Sequence, residues 1–446
     1  MHNGKHGLRR RTFYAVRSLL RRLYREKNNT TDISAKPENK GGIKVAFIHN
    51  EKRVHSGVHT GAAQINRLMA SALAKRGVEV RNFYPTTQLT DPPIHLKGVS
   101  NILFFYSLLE RKDAMLKYDI IQGTTYTPLP FLPFTTPVIC HFGSTMRGYL
   151  DNVPLTRSMS RHERAVYAEL LKLEIIPELD FKTLRPMEDV ADVEILSASR
   201  AAMCIATSNK VREELMEMGV SEERVRVIHN AIEDYWLDSS QREAVSSSPH
   251  LVFLGRLGND VFTLKLKGLD RMVNIYRSFP NVSKTTICMT TNQKLKEWLR
   301  VAFPNHHMYV NLRKDFIPGA LAPLFGSILL LVSRYEGFSL SLVEGMSQGL
   351  VPISFPVGVA PEIIENGKNG FVVSSEREAI ERARELLADN DKRLMMAEAA
   401  KRTAEQFTSA RIADELLSLY QKVKSEYKNN NKNSGKKSEK SLVFRI

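Results

Sequence analysis

Three cysteines in 446 residues are too few for a disulfide scaffold. Cys140, Cys204 and Cys288 lie far apart, each inside an apolar strand-like run, and read as buried core thiols in a reducing compartment. Also missing is any apolar run near the roughly eighteen residues that a membrane-spanning helix needs. The N-terminus carries charge but no uninterrupted apolar region, which argues against a secretory signal. The chain has no Asp-x-Asp pair of the kind used to carry a divalent metal. Over most of its length it also lacks an excess of charge of either sign. Of the net +16, residues 1–41 supply +8 and residues 421–446 supply +6. A basic body would have suggested a polyanion groove; a near-neutral body with basic ends argues against nucleic acid as a partner.

What is present is a globular composition, 43% hydrophobic, in a chain long enough for two full-sized cores. Residues 8–25, LRRRTFYAVRSLLRRLYR, have helical order. Leu8, Phe13, Val16, Leu19, Leu20, Leu23 and Tyr24 fall on one side, and every arginine but Arg9 falls on the other. Such a helix suits an anionic bilayer surface. Docking on the protein's own body and an organelle transit peptide are the competing readings.

The chain is organised around Ile328–Gly349, ILLLVSRYEGFSLSLVEGMSQG. An apolar run of strand length gives way to the loop Ser333–Phe338, and a helical segment then runs to Gly349. A strand-turn-helix of this kind sets backbone N–H groups and a positive helix end at the carboxyl edge of a sheet, which makes a seat for phosphate. Glu336 and Glu344 bracket that seat. Their spacing alone is uninformative, since Glu214 and Glu222 repeat it on what reads as a surface helix; the flanking strand, Gly-Phe and terminal Gly carry the signal.

The run Ser333, Tyr335, Glu336, Gly337, Phe338, Ser339, Leu340, Glu344, Met346, Gly349, Pro352, Glu362, Gly367 and Gly370 resembles the E-x7-E signature of glycosyltransferase family 4. The resemblance implies the GT-B fold: two Rossmann-like, doubly wound parallel-sheet domains of the α/β class facing a cleft, with a C-terminal helix crossing back to the first. It also implies that Glu336 lies against a donor sugar, that Glu344 bonds ribose hydroxyls, and that the amides of Gly337, Phe338, Ser339 and Leu340 approach the diphosphate and sugar. Gly345 and the order Val351-Pro352 depart from the usual pattern without touching these roles.

Taken in order, residues 1–42 are the basic helix and a linker, and 43–240 form a first, acceptor-side domain. It opens on the strand Lys44–Asn50 and the loop HSGVHTGAAQ. In the family a Gly-Gly pair stands in this loop; Gly61 matches its second member and Thr60 replaces the first. His141, at the carboxyl end of a strand, is similar to the family histidine that meets the donor sugar. Residues 145–193 read as a helical excursion over the cleft. The Ser-rich link Ser239–Ser248 marks the boundary.

A nucleotide-sugar domain, 249–408, follows, then a crossover helix at 409–428 (its core Ala410–Tyr427) and a disordered basic tail at 429–446. In the family an Arg after the first strand of this domain and a Lys before a Gly hold the diphosphate. Arg256 and Lys267 match them, with Lys265 as the competitor. A departing nucleoside diphosphate gathers negative charge that such cations offset.

The expected activity is therefore a retaining hexosyl transfer from a nucleotide sugar to a glycan or lipid-linked hydroxyl. No metal or other cofactor is expected, and the expected place is cytoplasmic, peripheral at the inner face of a membrane. The candidate catalytic residues are Glu336, Arg256 and Lys267. A nucleotide-sugar epimerase of the same fold and a non-catalytic nucleotide-sugar-binding protein are the alternatives.

Overall fold

The computed structural model describes residues 42–50, 61–86, 97–181, 184–238 and 248–434. The segment 8–25, Gly57, Thr60, most of the Ser-rich link and the tail from 435 onward lie outside them.

Two parallel sheets carry the fold. The first contains β1 (Lys44–Ile48), β2 (Glu79–Phe83), β3 (Ile120–Thr124), β4 (Val138–Phe142), β5 (Met203–Ala206) and β6 (Val225–Val227), in the order β2-β1-β3-β4-β5-β6. The second contains β7 (Leu251–Arg256), β8 (Lys284–Met289), β9 (His306–Val310), β10 (Ile328–Leu331), β11 (Val351–Ser354) and β12 (Phe371–Val372), in the order β12-β11-β10-β7-β8-β9. Strands β3, β4, β5, β10 and β11 are buried at every position, as parallel strands covered by helices on both faces must be. The strand order reverses between β7 and β10, and connections leaving in opposite directions there open a crevice at the carboxyl edge. The Ser333–Ser339 loop leaves β10 at that point.

Alternate residues of the first sheet feed two cores. Ala46, Ile48, Ile121, Cys140 and Cys204 face one, and Val45, Phe47, Ile120, Ile139 and Ile205 the other. Cys140 and Cys204 are register partners, and all three cysteines are buried and free. The second of these cores is closed by the final helix, through Ile412, Leu416, Leu419, Tyr420 and Val423. Tyr420 donates to Gln122 Oε1 (2.6 Å), Lys424 pairs with Asp119 (2.8 Å) and Arg76 holds Asp414 with two 2.7 Å bonds. This helix runs Ser409–Ser434, past the Tyr427 expected from the sequence and into the segment read as tail. No Gly or Pro interrupts it before Gly435.

The excursion reaches the second sheet before its last helix returns to the first. Its helix Arg161–Lys172 starts with a capping box, Ser160 accepting from the Glu163 N–H and Glu163 from the Ser160 N–H. Met159, Val166, Tyr167, Leu170, Ile175 and Ile176 then enter the core of the second sheet. Tyr167 donates to Asp270 Oδ1 (2.8 Å) and Trp298 Nε1 to Glu169 (2.8 Å). The two sheets therefore exchange segments, one before the link and one after the second sheet. Helical periodicity shows which face of the excursion is apolar, but not which core receives it.

Candidate active site

The helix Leu269–Arg277 begins at Gly268, whose φ of +66° belongs to the left-handed region and whose missing side chain would lie 2.1 Å from the Val332 carbonyl oxygen. Only glycine lets this turn sit under the end of β10. The contact places Lys267 beside the loop: its Nζ donates to Glu336 Oε1 (2.6 Å), which also accepts from Ser333 Oγ (2.8 Å). Burial alone would lower the Lys267 pKa, but the Glu336 charge outweighs it and the pKa is raised, so Lys267 stays an ammonium. Lys265, two residues earlier, points elsewhere. It is buried against Asp180 Oδ1 (2.5 Å), Thr156 Oγ1 (2.8 Å) and the Pro154 carbonyl (3.1 Å), so geometry favours Lys267 at the site. Arg256 is exposed at the end of β7, close enough to oppose the Lys267 charge.

The helix Leu340–Ser347 begins at Ser339, held at φ +78° and ψ +79° with no side-chain cap. A non-glycine residue there stores strain of about 1–2 kcal/mol. Phe338 is buried beneath this start, and a Cβ on Gly61 would lie 3.6 Å from Leu340 Cδ1. Gly61 thus abuts the helix that carries Glu344. Glu344 is buried, which raises its pKa, and it forms an ion pair with Lys314 (2.8 Å). The sequence reading missed Lys314. Its segment NLRKDFIP matches no motif, and its position in the turn after β9, at the carboxyl edge, was the available signal.

The loop after β4 faces this array. A Cβ on Gly337 would lie 1.9 Å from the Gly143 carbonyl oxygen, so the two loops touch backbone to backbone. Either side of Glu336 is gripped from the other half of the chain. Tyr335 Oη donates to Glu214 (2.7 Å) and accepts from the Thr145 N–H (3.0 Å), Ser208 Oγ donates to the Gly337 carbonyl (2.6 Å), and Arg334 donates to Glu163 (2.6 Å) while Asp270, from its own half, holds the same guanidinium twice (2.6 and 2.8 Å). Beyond the loop, Glu362 pairs with His229 (2.9 Å) and accepts from Asn209.

His141 is buried without a well-formed hydrogen bond to either ring nitrogen, and the Asn230 side chain lies beside it. Burial pulls its pKa down to about 4, so the imidazole is neutral. Beneath the same loop Glu194 accepts from the Met146 N–H (2.6 Å). Burial, reinforced by the Glu214 charge, pushes its pKa up to about 8, and burial also raises Glu214. Neither carboxyl was singled out from sequence as a site residue; only a fold shows that both end under His141-Phe142-Gly143-Ser144.

The chain does contain one Asp-x-Asp spacing, Asp389-Asn390-Asp391. Asp389 caps a helix by accepting from the Lys392 N–H, and that helix meets Gly326, at the end of the second sheet opposite the loop. The acidic group Glu163, Asp270 and Glu376 has oxygens within 4.8 Å of one another, but Arg334 pairs with two of its members.

Two family models match. "Glycosyltransferase Family 4" covers residues 59–234, and "Glycosyl transferases group 1" covers residues 262–403. The chain is similar to a probable sucrose-phosphate synthase of Thermosipho melanesiensis, 39% identical over 108 residues, which is 23% of this chain and 25% of that protein. Across five curated relatives the matches span from 22% to 66% of the relative's length. Among solved structures, sucrose-phosphate synthase of Thermosynechococcus elongatus superposes with a TM-score of 0.66 at 14% identity, over 86% of this chain and 100% of that one. Anabaena HepE in complex with UDP-glucose does so with a TM-score of 0.58 at 15% identity, over 85% and 100%. At these identities the superpositions show a shared GT-B fold.

Proposed function

The chain belongs to the family 4 type of GT-B glycosyltransferases, and from that premise we propose that it moves a hexose from a nucleoside-diphosphate sugar to a hydroxyl of a glycan or lipid-linked acceptor, with retention and without a metal. The observation that carries the reading is the Lys267, Glu336 and Ser333 set beside the uncapped helix start at Ser339, at the switch point of the second sheet. In this reading the sugar C1–O bond to the diphosphate breaks and negative charge gathers on the leaving oxygen. Lys267 and the exposed Arg256 offset that charge, and the first-turn amides add to it. Glu336, anchored by Lys267, accepts hydrogen bonds from sugar hydroxyls, and Glu344 does the same for the ribose. The neutral imidazole of His141 offers the sugar one donor and one acceptor.

The acceptor oxygen forms the new bond to C1 from the face that the diphosphate leaves, and its proton passes to a phosphate oxygen. No covalent nucleophile is required, and Glu336 acts as a positioning group. A nucleotide-sugar ligand in a similarly folded protein, UDP-glucose in HepE, supports the donor class. The arginine-rich amphipathic sequence pattern of residues 8–25 supports an acceptor at the cytoplasmic surface of an anionic membrane.

The test is a screen of UDP-, GDP- and ADP-sugars, with and without chelator, following nucleoside diphosphate release. Release from one donor that survives chelation is expected. Activity abolished by chelation contradicts metal independence, and neither binding nor release of any donor contradicts the reading itself.

A further inference from the structure

Lys314 lies outside every motif, yet three segments converge on it. Its ammonium carries three N–H donors: it donates to Gln64 Oε1 (3.0 Å) on the helix Gly61–Lys75 and to both oxygens of Glu233 (2.9 Å) between β6 and the link, and it lies 2.8 Å from Glu344 Oε1 on the helix Leu340–Ser347 as an ion pair. The side chain is one-fifth exposed and that of Glu344 only 7%. One ammonium between two carboxylates leaves a partly buried cluster with net negative charge, which suits a ligand that presents hydroxyl hydrogens. A buried carboxyl group accepts fully at both oxygens only when ionised, and ionisation there needs a partner cation.

We infer that Lys314 is a positioning residue for the donor: it holds Glu344 as an oriented carboxylate for the ribose hydroxyls and ties it, through Gln64, to the first sheet's leading helix. This rests on the donor reading above. Among the described residues, the titratable groups besides Lys314 that face Glu344 are Glu233, which raises its pKa, and the Tyr235 phenol, whose own pKa Glu344 raises. With Lys314 gone, burial and Glu233 act on Glu344 unopposed, its pKa climbs, and nucleotide affinity falls as pH falls through it.

The experiment measures, by calorimetry, the affinity of the full chain for whichever of UDP, GDP or ADP it binds, in wild type, Lys314→Gln, Lys314→Arg and Gln64→Ala. Taking the ratio of variant to wild-type Kd cancels the titration of the nucleotide itself. At about pH 6 Lys314→Gln should bind about tenfold more weakly than wild type, with the ratio closing toward about pH 9. Lys314→Arg, which keeps the charge, should stay within about threefold at every pH. Gln64→Ala, which removes one neutral acceptor, should lose about twofold without pH dependence. A ratio near one for Lys314→Gln overturns the inference, whatever its melting temperature. So does a loss of equal size at all pH values, which would make the role purely structural. If wild type binds none of the three nucleotides, the donor reading falls and the inference with it.

Discussion

The loops after β4 and β10 leave the carboxyl ends of two fully buried parallel strands and meet at Gly143 and Gly337. Their chemistry differs. In the β10 loop the charged groups are paired: Arg334 with Asp270 and Glu163, Glu336 with Lys267. At the β4 loop burial works against charge: the His141 imidazole is neutral, and desolvation raises the pKa of both Glu194 and Glu214. Fixed charges pre-arranged around a carboxylate suit a ligand whose charge grows during reaction, whereas neutral, partly unbonded groups suit a ligand rich in hydroxyls. On the proposed function, the first is the diphosphate-sugar half and the second the side from which sugar and acceptor are met.

The largest effect that tests this contrast comes from removing a cation on the paired side. Lys267→Ala should lower turnover by about 100- to 1000-fold, while His141→Ala should cost about tenfold and leave nucleoside diphosphate affinity unchanged; steady-state kinetics beside calorimetry separates the two, and equal losses would erase the contrast. Next is the contact itself. Gly337→Ala puts a methyl group against the Gly143 carbonyl and should cost about a hundredfold in turnover through misplacement of Glu336, with the circular dichroism spectrum unchanged.

A smaller effect is read in stability. The folded pKa of Glu194 lies above its unfolded value, so the stability it contributes is whole below the ordinary carboxylate range and is lost as pH rises toward about 8. Glu194→Gln should flatten that part of the dependence of melting temperature on pH. The smallest effect is on the paired side: Ser339→Gly relieves a left-handed serine and should raise stability by about 1 kcal/mol, read by denaturant unfolding.

Much of this molecule is legible in its sequence. The strand-turn-helix at Ile328–Gly349 and the alternation of strands and helices state the sheet class and the place of the candidate site in it, because local pattern and fold agree there. The Lys265 and Lys267 alternatives could not be separated by spacing, since only the glycine contact under β10 decides which amine faces Glu336. Lys314, Glu194 and Glu214 stayed hidden for a similar reason. Each acts through partners dozens to hundreds of residues away, and no local period encodes such a meeting. The excursion's destination in the second core is another long-range fact of this kind.

The most direct test of the account maps where a donor's nucleotide settles. Hydrogen exchange of the full chain with and without the nucleoside diphosphate it binds should slow in residues 255–268 and 333–348 and remain unchanged in 138–146, with Lys267→Ala abolishing the slowing. Slowing centred on 138–146 instead, or slowing that Lys267→Ala leaves intact, would contradict the claim that the paired loop after β10 is the donor seat.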